Sequence, residues 1–249
     1  MLIEMGKQAK SASLELAKFS NIKKNEILNR TADALTAASE VILKANKEDV
    51  EEAINKGIKG AFIDRLTLNE DRLEEMAQGL RDVAKLDDPV GEVLSMKQMD
   101  NGLLIGQKRV PMGVIGMIFE ARPNVTADAF GLCLKAGSAV ILRGGKEAFR
   151  TNTAVVSVFR NALEEMGLPM DIVQIVPDTS RETAQAMMRL NGYLDVLIPR
   201  GGAGLIQSVV ENSTVPVIET GIGNCTLFED ESEDVGRAVG LVWNAKVKI

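Results

Sequence analysis

The sequence predicts an α/β protein built on a doubly wound parallel sheet, with an N-terminal helical layer and a β-hairpin extension. Three observations predict it. From Val114 onward, short apolar runs alternate with amphipathic helical stretches. Residues 2–86 carry helical periodicity only, and Asn101-Gly102, a strong hairpin signal, stands between two apolar runs. On this reading residues 1–92 form a helical layer of the core domain, 93–110 the hairpin, and 111–249 the α/β core.

The centre of that core is 110–145. A strand over 114–119 meets the polar turn Glu120-Ala121-Arg122-Pro123-Asn124, a helix over 127–136 is stopped by Gly137, and a strand over 139–142 ends in Arg143-Gly144-Gly145-Lys146. Strand, helix and strand in this span make a βαβ unit, whose working edge lies at the carboxyl ends of its strands. Pro123 restrains Arg122 to extended geometry and presents Asn124 at the helix entrance. There Asn124 or Thr126 caps the helix, or Asn124 aims its amide at a developing oxyanion. The second turn combines two glycines with Arg143 and Lys146, which suits phosphate. It does not complete a Walker loop, because Val140 and Glu147 stand where that motif needs glycine and a hydroxyl. A third turn, Pro199-Arg200-Gly201-Gly202-Ala203-Gly204, fails the dinucleotide fingerprint at Gln207. These turns point to an anion near helix N-termini, with glycine at ordinary strand-to-helix turns as the alternative.

The remaining elements follow in order. In the helical layer Leu14 and Ala17, then Ile27, Leu28, Thr31, Leu35, Ala38 and Ile42, recur at three- and four-residue steps. Residues 64–69 read as a turn with a cap before a helix over 70–86. Hairpin strands are expected within 93–99 and 103–110. Beyond Lys146 the pattern gives a helix (151–166), a strand (172–176), and a capping box at Thr179-Ser180-Arg181-Glu182 opening a helix to Leu190. A strand (194–198), a helix (203–211), strands at 215–219 and 225–228, and a last helix (233–245) complete it.

Composition narrows the chemistry. The 249 residues carry a net charge of −6, which argues against a general nucleic-acid binder. Residues 110–150 run the other way, with Arg122, Lys135, Arg143, Lys146 and Arg150 against Glu120, Asp128 and Glu147, a balance that suits a small anionic ligand. There is no histidine, so triad catalysis and His-ligated zinc are excluded within this chain. Cys133 and Cys225 make no disulfide framework and no metal site is expected. Cys133 lies on an apolar helix and Cys225 at a strand position, and both read as small buried hydrophobes. No run of about 18 apolar residues and no signal core occurs, so the cytoplasm is the expected compartment, without membrane partners.

The runs VPMGVIGMIFEARPNVTADAFGLCLKAGSAVILRGGKEAFRTN, LIPRGGAGLI and VPVIETGIGNC closely resemble the gamma-glutamyl phosphate reductases (glutamate-5-semialdehyde dehydrogenases), a divergent branch of the aldehyde dehydrogenase superfamily. The resemblance extends from Met1 to about Lys246. It implies an aldehyde dehydrogenase-like fold with a Rossmann-type NADP-binding core. The implied reaction is the NADPH-dependent reduction of L-glutamyl 5-phosphate to glutamate 5-semialdehyde and phosphate in proline biosynthesis. Asn124 matches the superfamily's oxyanion-hole asparagine. Arg143, Gly144, Gly145 and Lys146 match the loop that holds the adenosine ribose and its phosphate, Gly201 and Gly202 the turn near the pyrophosphate, and Glu219 falls near the acidic general base. Arg122 and Arg200 are candidates to grip the glutamyl carboxylate. The resemblance also implies a homo-oligomer in full-length form and association with glutamate 5-kinase. Two departures stand out. Thr226 occupies the place of the family's histidine, and Asn244-Ala245-Lys246 is followed by Val247-Lys248-Ile249 where the family continues into the R-P-S-x-C-N segment of its nucleophilic cysteine. The expectation is a chain without its catalytic domain and inactive alone; the alternative is a non-catalytic NADP-binding or subunit-pairing paralogue.

Overall fold

A computed structural model describes residues 1–219, 221, 226–228, 230 and 234–246. Five helices come first: α1 (Leu2–Leu16), α2 (Asn21–Ala37), α3 (Ser39–Asn55), α4 (Ala61–Leu66) and α5 (Glu70–Lys85). The hairpin β1 (Val93–Gln98) and β2 (Leu104–Lys108) pairs antiparallel and is exposed along its whole length. Then come β3 (Val114–Phe119), α6 (Asn124–Lys135), β4 (Ala139–Arg143), α7 (Phe149–Glu165), β5 (Val173–Ile175), α8 (Arg181–Met188), β6 (Val196–Arg200), α9 (Ala203–Asn212) and α10 (Val235–Lys246).

Strands β5-β4-β3-β6 form one parallel sheet in that order. The chain runs outward from β3 through β4 to β5, then crosses back to place β6 on the other side of β3. The topological switch point therefore lies between β3 and β6, where open α/β sheets bind ligands at the carboxyl ends of the strands. Alternation along β3 sends Ile115 and Phe119 into a core with α2, α5, α6 and α7, and Val114 and Ile118 into a core with α8 and α9. The sheet is covered on both faces, which is why its strands read as continuous apolar runs.

Buried polar links hold the helical layer to this core. Lys24 of α2, only 1% exposed, donates to Asp88 at 2.6 Å and to the carbonyl of Lys135 at 2.9 Å. Lys135, at the end of α6, donates to Asn21 and Asn25 at 2.8 and 2.7 Å and to the Ala84 carbonyl at 3.1 Å. Burial lowers the pKa of Lys135, which works against its charged form. The two ammonium groups thus sit at the carboxyl ends of α5 and α6, where the helix dipole favours cations.

Several local expectations change. In α1 the buried face is Ala9, Ala12 and Leu16, whereas Leu14 is 68% exposed and Ala17 lies on the outer side. The turn expected at 64–69 is helical up to Leu66; its cap is real, since the Asn69 side chain accepts from the Arg72 amide. Helix α6 starts at Asn124 without a side-chain cap, and Gly137 (φ 71°) ends it as a left-handed residue. Helix α8 is capped by Ser180, accepting from the Thr183 amide, so the cap stands one residue later than the box read at Thr179. Residues 215–219 form only an isolated bridge from Val217 to Leu197, and 226–228 form no strand. Cys225 lies outside the described residues.

Breaking a buried ion pair by removing one partner costs about 3–5 kcal/mol. Asp88→Ala, which strands the Lys24 ammonium, is expected to lower unfolding stability by about that much in urea titrations. Lys24→Met, which removes the buried charge itself, is expected to cost less.

A candidate cofactor and anion site at the switch point

Three strand ends open on one edge. In the parallel register Ile118 faces Arg143 and Phe119 faces Arg200, so the turns after β3, β4 and β6 leave the sheet at the same level. The turn after β5 lies on that edge too.

After β3, Ala121 is buried beside Ala148 and Leu66, while Glu120, Arg122 and Asn124 face outward. Asn124 is the first residue of α6, and its amide donates to Asp128 at 3.3 Å; it does not cap the helix. Thr126 is fully buried and donates to Asn152 of α7 at 3.0 Å. Burial raises the Asp128 pKa, against the opposing effects of Asn124 and Arg200. Arg65, Arg72, Arg122, Asn124 and Asp128 share a cavity of about 300 Å³.

After β4, the Arg143 guanidinium donates through Nη2 to the carbonyls of Thr179 and Ser180 at 2.6 and 3.0 Å. Its Nε is buried with no partner, and burial lowers its pKa. Arg143 therefore braces the β5–α8 turn against the end of β4. Asp178 shapes the same turn: hydrogen bonds from Thr183 and then Ser180 hold its carboxyl down to about 2. Gly144 is packed tightly, because a Cβ there would collide with Asn152 and lie 3.3 Å from Phe119. At Gly145 a Cβ would come 3.0 Å from Glu147 and 3.5 Å from the Ala121 amide. The Lys146 side chain is exposed and makes no hydrogen bond or ion pair among the described residues.

Arg143, Gly145 and Lys146 line a cleft of about 950 Å³, together with Phe119, Thr179, Ser180, Leu205 and Ser208. Leu205 and Ser208 of α9, and Thr179 and Ser180 of the turn after β5, line this cleft without having been candidates in the sequence; the last two could have been found. The signal was available, because a turn following β5 must share the edge of a parallel sheet.

After β6, Gly201 and Gly202 lead into α9. The Gly202 amide donates to Glu120 at 3.2 Å, and a Cβ at Gly201 would lie 2.7 Å from the Glu120 carboxyl carbon. Glu120 thus places a carboxylate on the α9 N-terminus, the position that favours an anion. A second cavity, of about 260 Å³, is lined by Arg65, Glu120, Arg122, Arg200, Gly201 and Gly202. Glu219 is exposed and lines none of these three spaces, so it is not brought together with Asn124. Thr226 is likewise exposed. No group of three or more potential metal ligands occurs among the described residues.

A parallel sheet with its switch point framed by such turns defines an α/β protein whose ligand edge lies at the carboxyl ends of its strands. Residues 3–213 match the model of the aldehyde dehydrogenase family, and the chain belongs to that family. Membership implies a nicotinamide cofactor. Among its relatives, the gamma-glutamyl phosphate reductase of Caldicellulosiruptor bescii is 56% identical over 99% of this chain and 59% of its own length. That of Clostridium perfringens is also 56% identical, over 98% of this chain and 59% of its own. The crystal structure of gamma-glutamyl phosphate reductase from Thermotoga maritima superposes with a TM-score of 0.90 at 43% identity, over 99% of this chain and 60% of that one. The Saccharomyces cerevisiae enzyme of the same name gives 0.81 at 34%, over 86% of this chain and 54% of that one. The chain thus spans about 59% of the length of the curated relatives it matches.

Two outcomes are expected. Cys133 is fully buried and desolvation pushes its thiol up to about 12, so it stays protonated at pH 8. Iodoacetamide mapping by mass spectrometry should find Cys133 unmodified in the folded chain and modified after unfolding. Glu120→Gln removes the carboxylate that competes for the α9 N-terminus, and should tighten binding of a nicotinamide dinucleotide by about threefold or more in calorimetry, as expected for loss of one anion beside a helix dipole.

Proposed function

We propose that this chain forms the NADP(H)-binding part of a gamma-glutamyl phosphate reductase, which reduces L-glutamyl 5-phosphate to L-glutamate 5-semialdehyde and phosphate in proline biosynthesis. One observation carries the reading: the Asn124, Lys146 and Gly201-Gly202 turns converge on one carboxyl edge around the switch point. The large cleft has the size of a ligand pocket, about 300–1,000 Å³. The tight approach permitted at Gly145 and the unpaired Lys146 suit a phosphorylated ribose.

Each residue then has a defined task. Lys146 supplies the mobile charge for the adenosine ribose and its phosphate, while Arg143, with Gly144 and Gly145, shapes the wall of the cleft by holding the Thr179-Ser180 turn. Gly201 and Gly202 leave room at the α9 N-terminus for the pyrophosphate, in competition with Glu120. When bound, the cofactor supplies hydride to the acyl carbon. Asn124 donates its amide to the oxygen of that carbon as negative charge develops, an interaction whose removal typically costs about 2.7–4 kcal/mol in the transition state. Arg122 and Arg200 hold the anionic groups of the substrate. Glu219, the candidate general base, is exposed and lines none of these cavities, and no step is assigned to it.

The relatives' names and the identity support the substrate. The exposed apolar hairpin, with Leu94, Met96, Leu104 and Ile105 all about half exposed or more, supports a homo-oligomer. It also favours a second reading, in which the chain binds NADP(H) and pairs with a subunit without catalysing the reaction. Association with glutamate 5-kinase and a cytoplasmic location complete the proposal; among the described residues no helix is long and apolar enough to cross a membrane.

Calorimetric titration with NADPH, with NADH as control, tests the assignment. Lys146→Ala should weaken NADPH about tenfold, near 1.4 kcal/mol, and NADH by much less. Equal weakening of both would sink the role given to Lys146, and no NADPH binding by the folded wild-type chain would sink the proposal.

A further inference from the structure

The helical layer reaches the Arg122 side of the site through a short strap, the segment of α4 and its link to α5. Leu66 is fully buried against Ala121 and Ala148, the two alanines inside the turns that follow β3 and precede α7. Asn46, 2% exposed on α3, holds the backbone on either side of Thr67: it donates to the Leu66 carbonyl at 2.9 Å and accepts from the Leu68 amide at 2.7 Å. Arg72 braces the outer side, donating to the carbonyls of Asp64 and Thr67 and pairing with the Asp64 carboxylate at 2.9 Å. A buried amide and a bridging guanidinium thus fix the strap next to the Glu120–Arg122 turn.

The residue between these anchors is Arg65. It lines both the 300 Å³ cavity, with Arg122 and Asn124, and the 260 Å³ cavity, with Arg122 and Arg200. The side chains of Arg65, Arg122 and Arg200 make no hydrogen bond or ion pair among the described residues, whereas both terminal nitrogens of the neighbouring Arg72 are engaged. The carboxylates of Asp64, Glu75 and Asp128 line the first cavity and that of Glu120 the second, yet none of them forms an ion pair with these three guanidiniums among the described residues, so their forks stay open to a bound anion. Their planar forks match carboxylate and phosphate oxygens two at a time.

We propose, on the basis of the function proposed above, that Arg65 is a substrate-recognition residue, gripping with Arg122 a compact oxyanion, carboxylate or phosphate, of the acyl substrate beside Asn124. The helical layer is then part of the substrate site as well as of the scaffold.

The test titrates the 249-residue chain with inorganic phosphate and, separately, L-glutamate, following arginine Nε–Hε signals by NMR, with NADPH as the control ligand. Wild type is expected to bind at least one anion, and Arg65→Gln to raise that Kd about tenfold or more with NADPH affinity and melting temperature unchanged. Arg65→Lys, which keeps charge but loses the fork, should fall between. A response to phosphate alone assigns the phosphoryl group, and a response to glutamate alone assigns the carboxylate. Arg65→Gln binding both anions as wild type does would overturn the proposal, as would a wild-type chain that binds NADPH but neither anion. A wild-type chain that fails to bind NADPH overturns the underlying function, and the role of Arg65 with it.

Discussion

The parallel pairing of β3 to neighbours on both sides is the constraint on which the rest of the structure depends. Because β4 and β6 run the same way as β3 and in matched register, the turns that follow all three must leave from one edge. A buried strand of Val, Ile and Phe leaves the sheet little freedom to slip, since a one-residue shift would exchange the residues facing the two cores. The polar turns themselves contribute little to this placement. Their glycines and proline shape the exits, and the strand register decides which exits meet.

That division explains what was legible in the sequence. The strands, the βαβ unit and the hairpin follow from apolar runs and turn residues, which are local signals. The face of α1 was misread because Leu14 and Leu16 are equally hydrophobic and only one can face inward; the buried row is Ala9, Ala12 and Leu16, whose small alanines allow close packing against the sheet, and Leu14 lies outside. The cap of α8 shifted by one because Thr179 and Ser180 are both competent hydroxyls, and Ser180 has Asp178 and Thr183 around it to fix its position. In the site, Asn124 and the glycine turns were legible from their exits. The role of Arg143 was not, because its partners are carbonyls 36 and 37 residues further along the chain. Arg65 carried no local signal at all, since its meaning depends on where Leu66 packs.

Cations are used in two opposed ways at the two ends of this fold. Lys24 and Lys135 are buried beneath the amino ends of the strands and saturated by a carboxylate, amides and carbonyls, so their charge ties the helices α2, α5 and α6 together. At the carboxyl edge Arg65, Arg122, Lys146 and Arg200 are exposed and without partners among the described residues. A chain with net charge −6 has acidic groups to neutralise them, and several carboxylates line this edge, yet Glu120 turns to the Gly202 amide and Asp128 accepts from Asn124 instead of pairing with them. Mutual repulsion among such cations destabilises the free protein slightly and is relieved when an anion binds, so the field at the edge is stronger toward ligands than pairing would leave it. Glu120 moderates that field by occupying the N-terminus of α9. An edge arranged this way suits ligands carrying more than one negative group, because each phosphate or carboxylate that arrives finds either a free guanidinium, a free ammonium or a helix N-terminus held by a displaceable carboxylate.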